Sequence, residues 1–161
     1  MKNYGKLFEE DFARSFPKEV FIYRLRDSAG AWNSQGIGDK GIRFTTTNIC
    51  DFIAYSGKAN KLLLLELKSF KGKSCPFTNL KWHQIKSLYT EGKKDKVEAY
   101  FILNFRDFNN ETYAVKSEHI YEFYEKGERK SFSHDWCKSN GVLIKGKLKR
   151  TRWEYDVEEL L

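Results

Sequence analysis

The 161-residue chain is long enough for one domain with a single core, and it has neither an apolar run able to span a bilayer nor an apolar signal segment after its first residues. A cytoplasmic protein that does not enter membranes is expected. Lysine and arginine exceed aspartate and glutamate by 29 to 22, a net charge of +7 that points to a polyanionic partner, while three cysteines without CxxC spacing argue against a disulfide framework or a zinc site.

The opening NYGKLFEEDFARSFP predicts a helix from about Gly5 to Phe16, stopped by Pro17. On a helical wheel of about 100° per residue, Phe8, Phe12, Ala13 and Phe16 share one arc, with Glu9 inside it and Glu10 outside. A carboxylate facing an apolar surface needs a cation, a metal or a hydrogen bond to offset its desolvation, which makes Glu9 the candidate functional acid of this helix. Val20 to Arg26, VFIYRLR, alternates as a strand does. The segment from Asp27 to Asn48 is polar, contains Gly30, Gly36, Gly38 and Gly41, and follows no helical or strand period, so it reads as a long, functional loop. Its glycines do not follow the phosphate-cradling GxGxxG pattern.

Two apolar runs, ICDFIAY (49–55) and KLLLLELKS (61–69), are joined by Ser56-Gly57-Lys58-Ala59-Asn60, the pattern of an antiparallel hairpin. A helix from Asn79 to about Glu91 follows, then a strand VEAYFILNF and a hairpin arm TYAVK. Helical patterns near 117–126 and 133–139 and a basic strand VLIKGKL complete the chain. Strands with helices interspersed on both sides predict an α/β sandwich with a mixed central sheet flanked by helices, in a single domain over 1–161.

The leucine run carries the most information. Side chains alternate along a strand, so Leu62, Leu64, Glu66 and Lys68 share one face and Leu63, Leu65 and Leu67 the other. One face stays apolar; the other turns charged partway along, as expected where a sheet opens onto a cleft. A solvent-facing Glu–Lys pair is one explanation. The other draws in Asp51, the acidic residue of the neighbouring strand, whose carboxylate would approach Glu66. Two carboxylates about 4 Å apart repel by roughly 4 kcal/mol at an effective dielectric near 20, so something positive must hold them. A hard divalent cation does so while keeping waters that can act as nucleophiles, and Lys68 is then placed to orient or deprotonate such a water or to stabilise charge on an attacked phosphate. In the next helix Gln84 falls on the buried side between Leu80 and Leu88 and would hold a water or phosphate, or simply a backbone group. His83 points away.

Asp51, the Glu66-Leu67-Lys68 triplet and an upstream helical glutamate resemble the PD-(D/E)xK nuclease superfamily, with Cys50 where that pattern often has proline. NYGKLFEED, TTTNICDF and ELKSFKGKSCPFTNLKWHQIKSL, in that order, are similar to the RecU-type Holliday junction resolvases of Gram-positive bacteria and their phages. The resemblance implies a restriction-endonuclease-like fold and a magnesium-dependent nuclease, with manganese as substitute. It makes Asp51 and Glu66 metal ligands with the Leu67 carbonyl, Lys68 the catalytic lysine, Glu9 a residue acting through water on the metal, and Gln84 a support. It further implies a homodimer acting on four-way junction DNA in a bacterial cell or phage-infected host, a recombinase as a further partner, and a stalk-like insertion at about 27–48. Candidate DNA contacts are Arg24, Lys40, Arg43, Thr45, Thr46, Lys71, Lys73, Lys145, Lys147 and Arg150. The last three lie in a stretch from Lys138 to Arg152 that holds six basic residues and no acid. A nuclease of linear or forked DNA and a non-catalytic DNA-binding or recombination-modulating protein are the alternatives.

Overall fold

A computed structural model describes residues 3–25 and 48–161. The loop and stalk expectation at 27–48, except for Asn48, lies outside the described residues, as do Lys40, Arg43, Thr45 and Thr46.

Helix α1 spans Tyr4–Arg14. The Asn3 side chain caps it by accepting a hydrogen bond from the Lys6 amide at 3.1 Å, and the chain leaves the helix at Ser15, two residues before Pro17. Strands β1 (Phe21–Arg24), β2 (Phe52–Ser56) and β3 (Lys61–Phe70) follow. A short strand β4 (Ser74–Pro76) and a single 3-10 turn at Phe77–Asn79 lead into α2 (Trp82–Glu91), which begins later than the expected Asn79 because that turn occupies its predicted start. Strands β5 (Val97–Phe105) and β6 (Glu111–Lys116) precede α3 (Ser117–Lys126). Then come β7 (Ser131–Ser133), α4 (His134–Asn140), β8 (Gly141–Ile144), β9 (Gly146–Lys149) and β10 (Arg152–Tyr155).

Six strands form one sheet in the order β1-β2-β3-β5-β6-β8. The β3–β5 pair is parallel, joined through α2, and the other neighbours are antiparallel, so the sheet is mixed. On one face Phe8, Phe12 and Phe16 of α1 pack on Phe52, Ala54, Leu63, Leu65 and Leu67, with Tyr155 of β10 edge-on to Phe8 at 5.5 Å. On the other face Ile85 and Leu88 of α2, Ile120 of α3 and Cys137 of α4 cover Leu64, Phe101, Leu103 and Val115. The chain thus forms the expected α/β sandwich, a mixed central sheet flanked by helices. Strand β3 lies inside it: Leu63 and Leu65 are completely buried, each contributing about 1.5–3 kcal/mol of apolar transfer free energy. Cys50, Cys75 and Cys137 are free, buried thiols.

The basic strand expected over VLIKGKL does not form as one unit. It breaks at Lys145: β8 completes the main sheet against β6, whereas β9 turns away to pair with β10 in a separate hairpin. Gly146 lies against the Tyr155 and Trp153 rings, where an added Cβ would meet both at 3.1 Å, so a side chain there would require the rings to give by a few tenths of an ångström.

Candidate active site

The β2–β3 register brings the site together. Phe52 pairs with Leu65, and one residue earlier the Asp51 amide donates to the Leu65 carbonyl at 3.0 Å, extending the pairing so that Asp51 stands beside Glu66. On its other side the Asp51 carbonyl accepts from the Leu25 amide at 2.8 Å. The Asp51 carboxylate is oriented by the main chain of β3, accepting from the Leu67 amide at 2.8 Å. Asp51 is therefore fixed through backbone at three points, as expected of a residue at a strand entrance between two neighbours.

Glu66 points into the helix-covered face and is wholly buried, in spite of its charge. Lys68, two residues on and therefore on the same face, sets its ammonium 2.5 Å from Glu66 Oε1. Glu66 Oε2 has no hydrogen-bond partner among the described residues, and neither has the buried Oε1 of Gln84, which α2 presents from above. Burial, reinforced by the Asp51 charge, pushes the Glu66 carboxyl up to about 7; Lys68 and the Gln84 amide oppose the rise without cancelling it. Burial pulls the Lys68 ammonium down, but the Glu66 carboxylate, helped by Asp51 and Glu9, holds it above its ordinary value. Burial likewise raises the neighbouring Cys50 thiol to about 12, so Cys50 is a packed apolar group here and its sulfhydryl bonds to the Phe52 carbonyl at 3.3 Å.

This donor set suits a hard divalent cation. A buried carboxylate oxygen without a hydrogen-bond partner among the described residues, next to a second carboxylate, offers oxygen ligands to such an ion. Among the described residues no group of three or more His, Cys, Asp or Glu side chains gathers to hold a metal. Asp51 and Glu66 would therefore share the ion with backbone oxygen, water or substrate, which is how magnesium is usually held.

The family model for Recombination protein U (RecU) matches residues 29–153, well over half of the sequence. The chain belongs to the RecU family. No curated protein sequence matches it. Among solved structures it is similar to Hjc of Archaeoglobus fulgidus, described as a Holliday junction resolvase from an archaeal hyperthermophile, with 15% identity over 86% of this chain and 87% of that one and a TM-score of 0.47.

The remaining candidates of this RecU chain are placed in three groups. Glu9 lies on α1 beside β1, where the Arg24 guanidinium reaches its Oε2 through Nη2 at 2.7 Å and Nε at 3.0 Å. The candidate phosphate contact Arg24 is thus engaged with the candidate acid Glu9, and both border the Asp51 side of the site. Lys71 and Lys73 are exposed on the turn that follows β3, where Gly72 takes a φ of 98°. Lys145, Lys147 and Arg150 are exposed on or beside the β9–β10 hairpin, which packs on α1 across the sheet from Glu66.

Sequence reasoning missed the residue that seats this hairpin. Asp11 is 6% exposed; it accepts from Arg152 Nε at 2.5 Å and from the Trp153 amide at 3.1 Å, while Arg152 Nη2 reaches Glu10 at 2.9 Å. Asp11 lies one turn from Phe8 on the helix, next to the apolar arc, and that position was its signal in the sequence; its partner is 141 residues away.

Proposed function

We propose that this RecU-family chain is a divalent-metal-dependent endonuclease that resolves four-way DNA junctions by paired, symmetric nicks. The observation that carries the reading is the convergence of Asp51, Glu66 and Lys68 at one strand end with a wholly buried, unpartnered carboxylate oxygen at its centre. Membership of the RecU family supports the junction as substrate.

Magnesium, with manganese as substitute, would be held by the Asp51 and Glu66 carboxylates with the Leu67 carbonyl, and would supply Lewis-acid polarisation of the phosphate and a more acidic water. The chain's own residues do the rest. The Leu67 amide fixes the Asp51 carboxylate in one orientation beside Glu66. The Lys68 ammonium, kept charged by its carboxylate neighbours, stabilises the negative charge that gathers on the attacked phosphate. Gln84 Oε1, a buried acceptor without a hydrogen-bond partner among the described residues, orients a water or a hydroxyl inside the site. Glu9 acts from a greater distance, through its charge on Lys68 and its hold on Arg24. Paired nicks need two copies of the site, and the edge of the sheet offers a surface for a homodimer: Phe21 and Tyr55, directly opposed, and Tyr23 beside them are exposed rings. A recombinase is a further candidate partner.

Purified protein with magnesium is expected to cut a synthetic four-way junction symmetrically, and Asp51→Asn or Lys68→Ala to lower the cutting rate by at least about a hundredfold. Equal cutting of linear duplex would remove the junction from the reading. Absence of cutting with any divalent metal would remove the enzyme.

A further inference from the structure

Across β3 from Glu66, a cleft of about 440 Å³ opens between the first turns of α1, the β9–β10 hairpin and the ends of β3 and β5. We infer that this cleft is a nucleotide subsite, which takes one unstacked nucleotide of the bound DNA with its phosphate on Arg106 and its base against the rings of Tyr4 and Trp153. The inference rests on the nuclease reading for the identity of the DNA and adds a place where a strand is gripped outside the cutting site.

The floor of the cleft is rigid and polar. Ser69 donates to Asn104 Oδ1 at 2.8 Å, and the Asn104 amide donates to Thr112 Oγ1 at 3.0 Å and to the Asn110 carbonyl at 3.2 Å. Asn104 is buried, and this network holds it in one orientation. Arg106 forms one wall: its Nη1 donates to Ser69 Oγ at 3.2 Å, and its guanidinium carbon lies 4.8 Å from the centroid of the Tyr4 ring. Its Nη2 and Nε make no hydrogen bond among the described residues, leaving a guanidinium edge able to take a phosphate in the two-pronged manner that suits arginine. Trp153 forms the facing wall, and Tyr4 is 50% exposed. The acid of the cleft, Asp11, is already paired with Arg152, so the charge of Arg106 remains to attract an anion.

Size and chemistry agree. The volume falls within the few hundred Å³ of small-ligand sites and matches one nucleotide. Ring faces with an arginine are the combination that binds single-stranded nucleic acid irrespective of base. Ser69 directly follows Lys68, and alternation along β3 sends Lys68 to the cutting face and Ser69 to the cleft. The cutting site and the cleft therefore open on opposite faces of β3, and a strand that reaches both passes round the end of the sheet. Unstacking costs least where bases are already unpaired, so a branch point is the natural source of the nucleotide. Another aromatic stack, Trp82 on Tyr121 and Tyr124, continues to Tyr89, over whose ring Lys93 already lies.

The test uses the full-length protein with calcium in place of magnesium, a four-way junction carrying 5-iodouracil at positions flanking the branch, and the same single strand alone. Irradiation is expected to crosslink Tyr4 or Trp153 in the junction complex, and Arg106→Gln and Tyr4→Leu are each expected to weaken junction binding by roughly tenfold. Crosslinks confined to other segments, together with unchanged affinity in both variants, would overturn the subsite. If the wild type cuts no junction at all, the nuclease reading fails separately, and the single-strand arm decides the subsite: crosslinking at Tyr4 or Trp153 upholds it and none there overturns it. A free nucleotide is the other possible source of the same chemistry, and protection of Tyr4 and Trp153 from crosslinking by millimolar deoxythymidine monophosphate distinguishes a general nucleotide site from one formed only on the branched strand.

Discussion

Glu66 carries a proton equilibrium that can be read from outside the molecule. Burial and the Asp51 charge raise its carboxyl from 4.5 to about 7. The folded chain holds this proton more tightly than the unfolded chain, so the contribution of Glu66 to stability is full below about pH 4.5 and is lost as pH rises through about 7. A divalent cation competes with that proton for the same carboxylate. Its effect on the melting temperature is therefore expected to be larger near pH 8 than near about pH 5.5, measured by calorimetry with magnesium and with chelator. Equal shifts at the two pH values would separate Glu66 from the cation. Glu66, Lys68 and Asp51 were legible in the sequence because a two-residue period in a leucine run makes any charge conspicuous and a hairpin fixes which residue stands opposite. The engagement of Glu9 by Arg24 was not legible, since a helix period gives the face of a side chain and says nothing of the partner that a later strand brings to it.

At the scale of elements, α1 serves the fold through Asp11 and, in the proposed reading, the site through Glu9, on opposite flanks of the same helix. Asp11→Ala leaves the Trp153 amide and Arg152 Nε without their acceptor, and the β9–β10 hairpin loses its polar anchor on the helix. The melting temperature is expected to fall by a few degrees, and hydrogen exchange to quicken across β9 and β10 while β3 and β5 keep their protection. Uniform loss of protection across the sheet would contradict a local anchoring role. The strands of the main sheet were largely recognisable, β5 to the residue, because a strand buried on both faces reads as a short apolar run bounded by polar, turn-forming segments. The break of VLIKGKL at Lys145 was hidden: the apolar run passes into Lys145-Gly146-Lys147 with no proline to mark it, and the Trp153 and Tyr155 rings that crowd Gly146 come from the strand that follows.

For the whole molecule, the basic candidate contacts among the described residues lie on two sides of the sandwich. Lys71 and Lys73 follow the cutting strand, and Lys145, Lys147 and Arg150 ride with the hairpin on α1. Phosphate contacts release counterions, so each one lost lowers the steepness with which salt weakens binding by about 0.9 in a plot of log affinity against log salt. Replacing Lys71 and Lys73 together by glutamine is expected to reduce that slope by about 2, read from junction affinity at several salt concentrations. An unchanged slope would place these lysines off the DNA. Alternating arrangement of layers was foreseeable from the order of strands and helices, whereas the distribution of charge over them depended on which way the last hairpin folded.

The burial of Cys50, Cys75 and Cys137 has a practical corollary. All three native thiols of the sequence are shielded in the folded chain, so maleimide reagents should find little to react with until it unfolds. A single cysteine introduced at an exposed position, Lys147 for example, would then carry a fluorophore without removing any natural one, and the hairpin's approach to a labelled junction arm could be followed by energy transfer in the otherwise unaltered protein.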